Sequence, residues 1–207
     1  RISAREQEKM RDCVTTLSQK QIIDAFFEKG RFNFRYYCGS DGLGDMSIGF
    51  VRTLRIPDDG RVYYLPSGLG EFPLKHVDDF ADRVPSTWLE RGGVLMPMYQ
   101  SEALWLKFIS RYSFGVKIAA GKINAVTGED WRSGLNRTPQ DYLVVPEQPW
   151  LDGFAVEEGI IRQFVATPLG AGYSVEEQLT GKAEFGGIQI QVYPMKATAH
   201  FKKEVRP

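Results

Sequence analysis

The fold is decided by the stretch from Gln140 to Lys196, which reads QDYLVVPEQPWLDGFAVEEGIIRQFVATPLGAGYSVEEQLTGKAEFGGIQIQVYPMK. Within it, Tyr142 to Pro146 and Ile160 to Thr167 are short apolar runs of strand length. The run from Ile188 to Tyr193 alternates apolar with polar residues, which is the period of a half-buried strand. The stretch therefore predicts the core of a β-rich domain.

One capped helix is predicted inside the same stretch. Ser174 and Glu177 have the spacing of a capping box, in which each side chain satisfies a backbone N–H at the start of a helix. Gly181 supplies the left-handed residue that commonly ends a helix. A glycine pair at 170 and 172 precedes this helix, where a phosphate-binding loop would lie, but Glu176 and Glu177 in the first turn would repel an anion. These glycines are thus predicted to form a tight turn rather than a nucleotide site.

Working outward from this stretch, the rest of the chain contains further strand patterns. They run over residues 32–38, 48–56, 61–65, 102–109, 114–120 and 122–127. Turn residues from Pro57 to Gly60 predict a hairpin between the second and third of these strands. The polar residues from Gly128 to Pro139 predict an exposed loop.

Outside the opening stretch, helical spacing is confined to three short segments. Apolar residues from Ala4 to Leu17 predict one helix, and those from Ser18 to Gly30 predict a second that begins with a capping box and ends at Gly30. A third pattern, Val77 to Val84, stops at Pro85. We therefore predict an α+β fold that is mainly β, an antiparallel two-sheet sandwich with N-terminal helices and two short covering helices. The whole chain, residues 1–207, is predicted to form a single domain on which the helical segment 1–30 packs.

Composition excludes several function classes. The chain has 26 basic and 26 acidic residues, so its formal net charge is zero, unlike that of typical nucleic-acid binders. No apolar run approaches the roughly 20 residues that cross a bilayer. We expect no nucleic-acid partner and no membrane insertion, while self-association is left open. No signal-peptide pattern begins the sequence, which favours a cytoplasmic location without fixing it.

The residues that usually hold metals are scarce. His76 and His200 are the two histidines, and Cys13 and Cys38 the two cysteines, with no ligand spacing among them. We expect neither a metal nor a cofactor. The two cysteines are predicted to be reduced thiols, although one disulfide between them is a second possibility.

The segment from Pro146 to Gly153 carries the strongest functional hypothesis. Two prolines stiffen a short span that holds Glu147, Gln148, Trp150 and Asp152. An indole face together with polar groups suits a polar ligand such as a carbohydrate. Two carboxyls about 5 to 10 Å apart are also what glycoside hydrolysis requires. The structural alternative is that Trp150 plugs one end of the sandwich while both carboxylates accept backbone N–H groups.

Two further residues are candidates for the same site. Trp131, in the polar loop, would enlarge an aromatic groove. Arg162 and Gln163 point to opposite faces of one strand, so one of them at most joins the site. The predicted ligand-binding set is Glu147, Gln148, Trp150, Asp152, Trp131 and Arg162, with Glu147 and Asp152 as candidate catalytic residues.

Several phrases resemble a family of uncharacterised microbial and fungal proteins. They are PMYQSEALWLKF, VKIAAGKINAVTGE, PEQPWLDG, RQFVATPLGAGYSVEEQLTG and GGIQIQVYPMK. The resemblance covers roughly Gly93 to Lys196, and it implies no reaction, ligand, cofactor or site residue. It also implies that chains of this kind continue beyond the present one.

Three functions stay open on sequence grounds. The first is a non-catalytic β-sandwich module that binds a polar ligand, with carbohydrate as the class that the aromatic residues favour. The second is a glycosidase-like hydrolase that uses the carboxylate pair. The third is an interaction or structural domain, which requires an exposed apolar patch or sheet edge instead of a cleft.

Overall fold

The chain's computed structural model describes residues 21–28, 30–38, 41–57, 59, 61, 63–157, 160–197 and 199–200. Its strands are β1 (Gln21–Glu28), β2 (Arg31–Cys38), β3 (Asp41–Thr53), β4 (Lys75–His76), β5 (Val94–Leu95), β6 (Ala103–Ser110), β7 (Phe114–Ala120), β8 (Ile123–Asn124), β9 (Leu143–Val145), β10 (Trp150–Leu151), β11 (Gly153–Glu157), β12 (Ile160–Val165) and β13 (Ile188–Pro194). Its helices are a 3₁₀ helix (Asp78–Phe80), α1 (Ser86–Arg91) and α2 (Val175–Thr180).

These strands form two main antiparallel sheets. A seven-stranded sheet has the order β1-β2-β3-β6-β12-β11, with β10 also paired to β6, and a four-stranded sheet has the order β13-β7-β8, with β9 also paired to β7. A short hairpin of β4 and β5 stands apart. The predicted α+β, mainly β sandwich is confirmed.

The core lies between the two main sheets. Ile48 and Leu106 of the seven-stranded sheet and Val116, Ile118 and Val145 of the four-stranded sheet are completely buried in one apolar cluster. Each such side chain contributes about 1.5 to 3 kcal/mol by leaving water. Of these five residues, Val145 comes from the opening stretch, and the other four come from β3, β6 and β7.

The prediction of a second N-terminal helix is wrong. Gln21 to Glu28 form β1, which pairs with β2 through a tight turn where Gly30 has φ 76°. Phe27 meets Phe32 across this hairpin with ring centroids 6.5 Å apart. Isoleucine and phenylalanine favour strands once a partner strand is present, and this pairing outweighs the helical spacing. Residues 1–20, which include the first predicted helix, Cys13 and Ser18 of the capping box, lie outside the described residues.

The predicted hairpin after β3 is also wrong. The described residues between 61 and 65 contain no strand. The end of β3 instead pairs with β6 on one side and with the segment at Gly70 to Phe72 on the other, where Arg52 N–H donates to the Gly70 carbonyl at 2.8 Å. The loop after β3 therefore returns to pair with the C-terminal part of β3. It lies on the same edge of β3 as β2, which pairs with the N-terminal part.

Helix α2 confirms the capping-box prediction. Ser174 Oγ accepts a hydrogen bond from Glu177 N–H, and Gly181 ends the helix in the left-handed conformation. The Glu177 carboxylate accepts the N–H of Gly172 at 2.8 Å and occupies the position that a phosphate would need. By contrast, the predicted helix over residues 77–84 is reduced to one 3₁₀ turn. None of the helices among the described residues is long and apolar enough to cross a membrane.

Candidate ligand-binding face

Trp150 lies on the outer face of the seven-stranded sheet. It is directly opposite Lys107 of β6, which is in turn opposite Gly49 of β3. Residues that face each other across antiparallel strands share one face of the sheet. Trp150 is 54% exposed, while the next residue, Leu151, is buried in the core. The structure thus places the indole on the surface and not as a plug of the sandwich.

An ion pair borders the same face beyond Gly49. Arg31 donates to the Glu71 carboxylate through both Nε and Nη2, with Nε 2.7 Å from Oε2. A methyl group built on Gly49 would lie 3.1 Å from Glu71 Oε1, so the glycine leaves room for this carboxylate. The five residues Arg31, Gly49, Glu71, Lys107 and Trp150 are called the Trp150 face below.

A shallow cleft adjoins the Trp150 face. Its volume is about 430 Å³, and its lining consists of Glu28, Arg31, Asn33, Ser47 and Glu71. Three strand spacings separate Arg31 from Trp150, or about 14 Å. The face is therefore longer than a single sugar ring and offers hydrogen-bonding groups at one end and an aromatic surface at the other.

The turn before Trp150 is held by backbone and amide hydrogen bonds. Phe108 N–H donates to the Pro149 carbonyl at 2.8 Å, which fixes the turn to β6. The N–H of Gln148 donates to the Val144 carbonyl at 2.7 Å, and Gln148 Oε1 accepts from Val144 N–H at 2.8 Å. Gln148 was predicted to contact a ligand, but its side-chain oxygen accepts a hydrogen bond that holds the turn.

One candidate catalytic carboxylate lies in this turn, and the other follows β10. Glu147 is exposed within the turn, and Asp152 is half-buried between β10 and β11. Neither residue lines the cleft described above. Their role as an acid and base pair stays a prediction.

The structure separates Arg162 from Trp150. Arg162 is opposite Phe154, whose ring packs on Phe164 of the inward face, with centroids 5.9 Å apart. The neighbouring Gln163 takes the other face, as the predicted alternation requires. Its side chain accepts from Ile56 N–H and donates to the Leu54 carbonyl, each at 2.9 Å, so it anchors the loop after β3.

A close backbone approach at Gly153 fixes the segment that follows Trp150. A methyl group at this position would lie 2.0 Å from the Arg162 carbonyl oxygen. We expect Gly153→Ala to push β11 away from β12 and to lower the free energy of unfolding by about 2 kcal/mol or more. Gly42→Ala is the matched control, because its methyl would meet nothing closer than 3.7 Å. Urea denaturation of both variants measures the effect, and equal stabilities would contradict this account.

Trp131 belongs to the opposite side of the sandwich. Phe114, Val116 and Ile118 of β7 point into the core, so Lys117 between them points to the outer face of the four-stranded sheet. Lys117 Nζ lies 5.1 Å from the Trp131 ring centroid. The core separates this indole from Trp150, and the two tryptophans do not share a groove.

The Gly128 to Asp141 loop is fastened by Lys117, a completely buried lysine. Its Nζ donates to Asp141 Oδ2 at 2.6 Å and to the carbonyls of Arg132 at 2.6 Å and Gly134 at 2.9 Å. Burial alone would raise the pKa of the Asp141 carboxyl, but hydrogen bonds from Lys117 and from Asn136 N–H outweigh it and lower the pKa. The sequence pattern did not single out this pair, because a lysine within a strand usually indicates an exposed position.

A polar cleft of about 280 Å³ opens above this pair. It is lined by residues of the loop and of β8, among them Asn124, Arg132, Asn136 and Asp141. The three N–H groups of the Lys117 ammonium each have an acceptor, and the Asn124 amide donates to the Asp141 carbonyl while its oxygen accepts from Val126 and Thr127 N–H. With these groups engaged, we assign Lys117 and Asp141 a structural role.

A second buried carboxylate joins α2 to β13. Glu176 is 2% exposed and accepts the N–H groups of Glu184, Phe185 and Gly186 at 2.9, 2.8 and 2.7 Å. Burial raises the pKa of this carboxyl, but the three hydrogen bonds have a larger combined effect and lower it. The sequence placed Glu176 at a helix N-terminus, yet its main partners come from the loop eight to ten residues later.

Known proteins give no direct comparison for these features. No family model, curated protein or solved structure matches the chain. Within the described ranges, moreover, no three histidine, cysteine, aspartate or glutamate side chains come together as a metal site requires. The resemblance to the uncharacterised family stays a prediction, and a functional assignment rests on the geometry of the site.

Proposed function

We propose that the chain is a non-catalytic module that binds a carbohydrate on the Trp150 face. The observation that carries this proposal is the exposed Trp150 indole in line with Lys107 and the Arg31–Glu71 ion pair. An indole offers an apolar face to the C–H side of a sugar ring. The polar groups along the sheet then bind the hydroxyls.

Rigidity supports a binding role. Trp150 is carried by a strand that is hydrogen-bonded to β6, and the preceding turn is fixed to both β6 and β9. The Arg31–Glu71 pair is bidentate, which holds both side chains in one geometry. A surface already in its bound shape loses little conformational entropy when a ligand arrives.

We expect Trp150→Ala to weaken carbohydrate binding by at least about tenfold, because exposed aromatic anchors commonly carry more than 1 kcal/mol of binding energy. A glycan array identifies the best ligand, and isothermal titration calorimetry then measures the affinity. Trp88→Ala is the matched control, since Trp88 is 46% exposed but lies on α1.

Two results would overturn the proposal. One is an array on which the wild-type chain binds no glycan above background. The other is a Trp150→Ala variant that is folded and binds the selected glycan as tightly as the wild type does.

A further inference from the structure

We propose that the carbohydrate bound by the Trp150 face is acidic and that its carboxylate pairs with Lys107. This inference rests on the proposed function and adds the chemical class of the ligand. It concerns the charge of the face, whereas the proposed function concerns its shape and its exposed indole.

Two arginines on the outer face are paired within the protein. Arg31 pairs with Glu71, and Arg35 pairs with Asp45 at 2.7 Å. Lys107 is exposed, and its side-chain ammonium has no ion pair or hydrogen bond within the part of the chain that the structure describes. Its ammonium is therefore available to a ligand, and a carboxylate would give it the partner that the protein does not supply.

Lys107 lies beside any ligand that stacks on Trp150. The two residues are directly opposite on adjacent strands, with backbones about 5 Å apart. On the other side, Gly49 has no side chain and the Glu71 carboxylate is already bound by Arg31. A sugar ring on the indole thus has its rim within reach of the flexible four-carbon stem of Lys107.

The inference is tested with pairs of glycans that share the same sugar rings, one charged and one neutral. The probes are oligosaccharides of galacturonate and of glucuronate, each with its methyl ester, which keeps the ring and removes the charge. We expect the wild-type chain to bind the free acid about fivefold more tightly than the ester in calorimetry at low salt. Added salt should reduce this preference, because the pair is exposed to solvent.

Two variants identify the residue responsible. Lys107→Met should abolish the difference in affinity between the acid and the ester. Lys75→Met is the control, because Lys75 is also exposed on a strand but lies in the separate β4–β5 hairpin. Trp150→Ala should weaken the binding of both probes.

The outcomes separate this inference from the proposed function. Equal affinity for acid and ester, a preference that survives Lys107→Met, or binding of neutral or sulfated glycans with neither uronate probe bound would overturn the inference while carbohydrate binding stands. Absence of binding to any glycan would overturn both.

Discussion

Replacing Lys117 with methionine is expected to lower the free energy of unfolding by about 3 to 5 kcal/mol. The substitution removes a completely buried ammonium and leaves the Asp141 carboxylate without its cation. It also leaves the carbonyls of Arg132 and Gly134 without a donor. Removing one partner of a buried ion pair is far more costly than removing both, because an uncompensated charge stays in a medium of low polarity. Chemical denaturation monitored by circular dichroism measures the change.

The control for this prediction is Lys107→Met, which removes an exposed lysine from a neighbouring sheet and should change stability by less than about 0.5 kcal/mol. The double variant Lys117→Met with Asp141→Leu removes both charges and should recover part of the lost stability. A Lys117→Met protein as stable as the wild type would show that the loop from Gly128 to Asp141 does not depend on the pair.

Glu176→Gln is expected to lower the free energy of unfolding by about 3 kcal/mol. The glutamine amide keeps one acceptor oxygen, but its NH₂ group faces backbone N–H donors from Glu184 to Gly186, which then lose a charge-assisted partner. The loss should be accompanied by an altered near-ultraviolet signal if the segment before β13 is displaced. Glu90→Gln on α1 is the matched control, because Glu90 is exposed.

Acidity offers a second measurement of the same carboxylate. The folded-state pKa of Glu176 is lowered, so its stabilising effect is present above the unfolded-state pKa and is lost as pH falls through the folded-state pKa. Between about pH 6 and pH 3 the wild type should lose more stability than Glu176→Gln, which has no carboxyl at this position to protonate. Parallel stability curves for the two proteins over this range would reject the assignment.

The parts of the fold that were predictable are those with a local cause. The Ser174–Glu177 capping box and the strand from Ile188 onward depend on patterns within a few residues, and both were predicted correctly. The helix predicted over Ile22 to Phe27 failed because the same apolar residues suit a strand once β2 lies beside them. Whether these residues form a helix or a strand depends on a neighbouring strand, which the spacing of apolar residues does not reveal.

The candidate face was predictable in part for the same reason. Trp150 was identified from its own segment. Lys107 and Arg31 lie on the same face because of how β10 pairs with β6 and β6 pairs with β3. The pattern for Trp131 placed it correctly in a polar loop, yet it gave no sign that this loop covers the other sheet. Long-range register, not residue type, decides which polar groups meet.

The position of β6 also has a consequence for synthesis on the ribosome. This strand pairs with β3, which precedes it in the chain, and with β10 and β12, which follow it. Until Val165 has left the exit tunnel, one edge of β6 is incompletely paired and its apolar face is incompletely covered. We therefore expect the nascent chain to become protease-resistant late and in one step, because pairings of high contact order must form together.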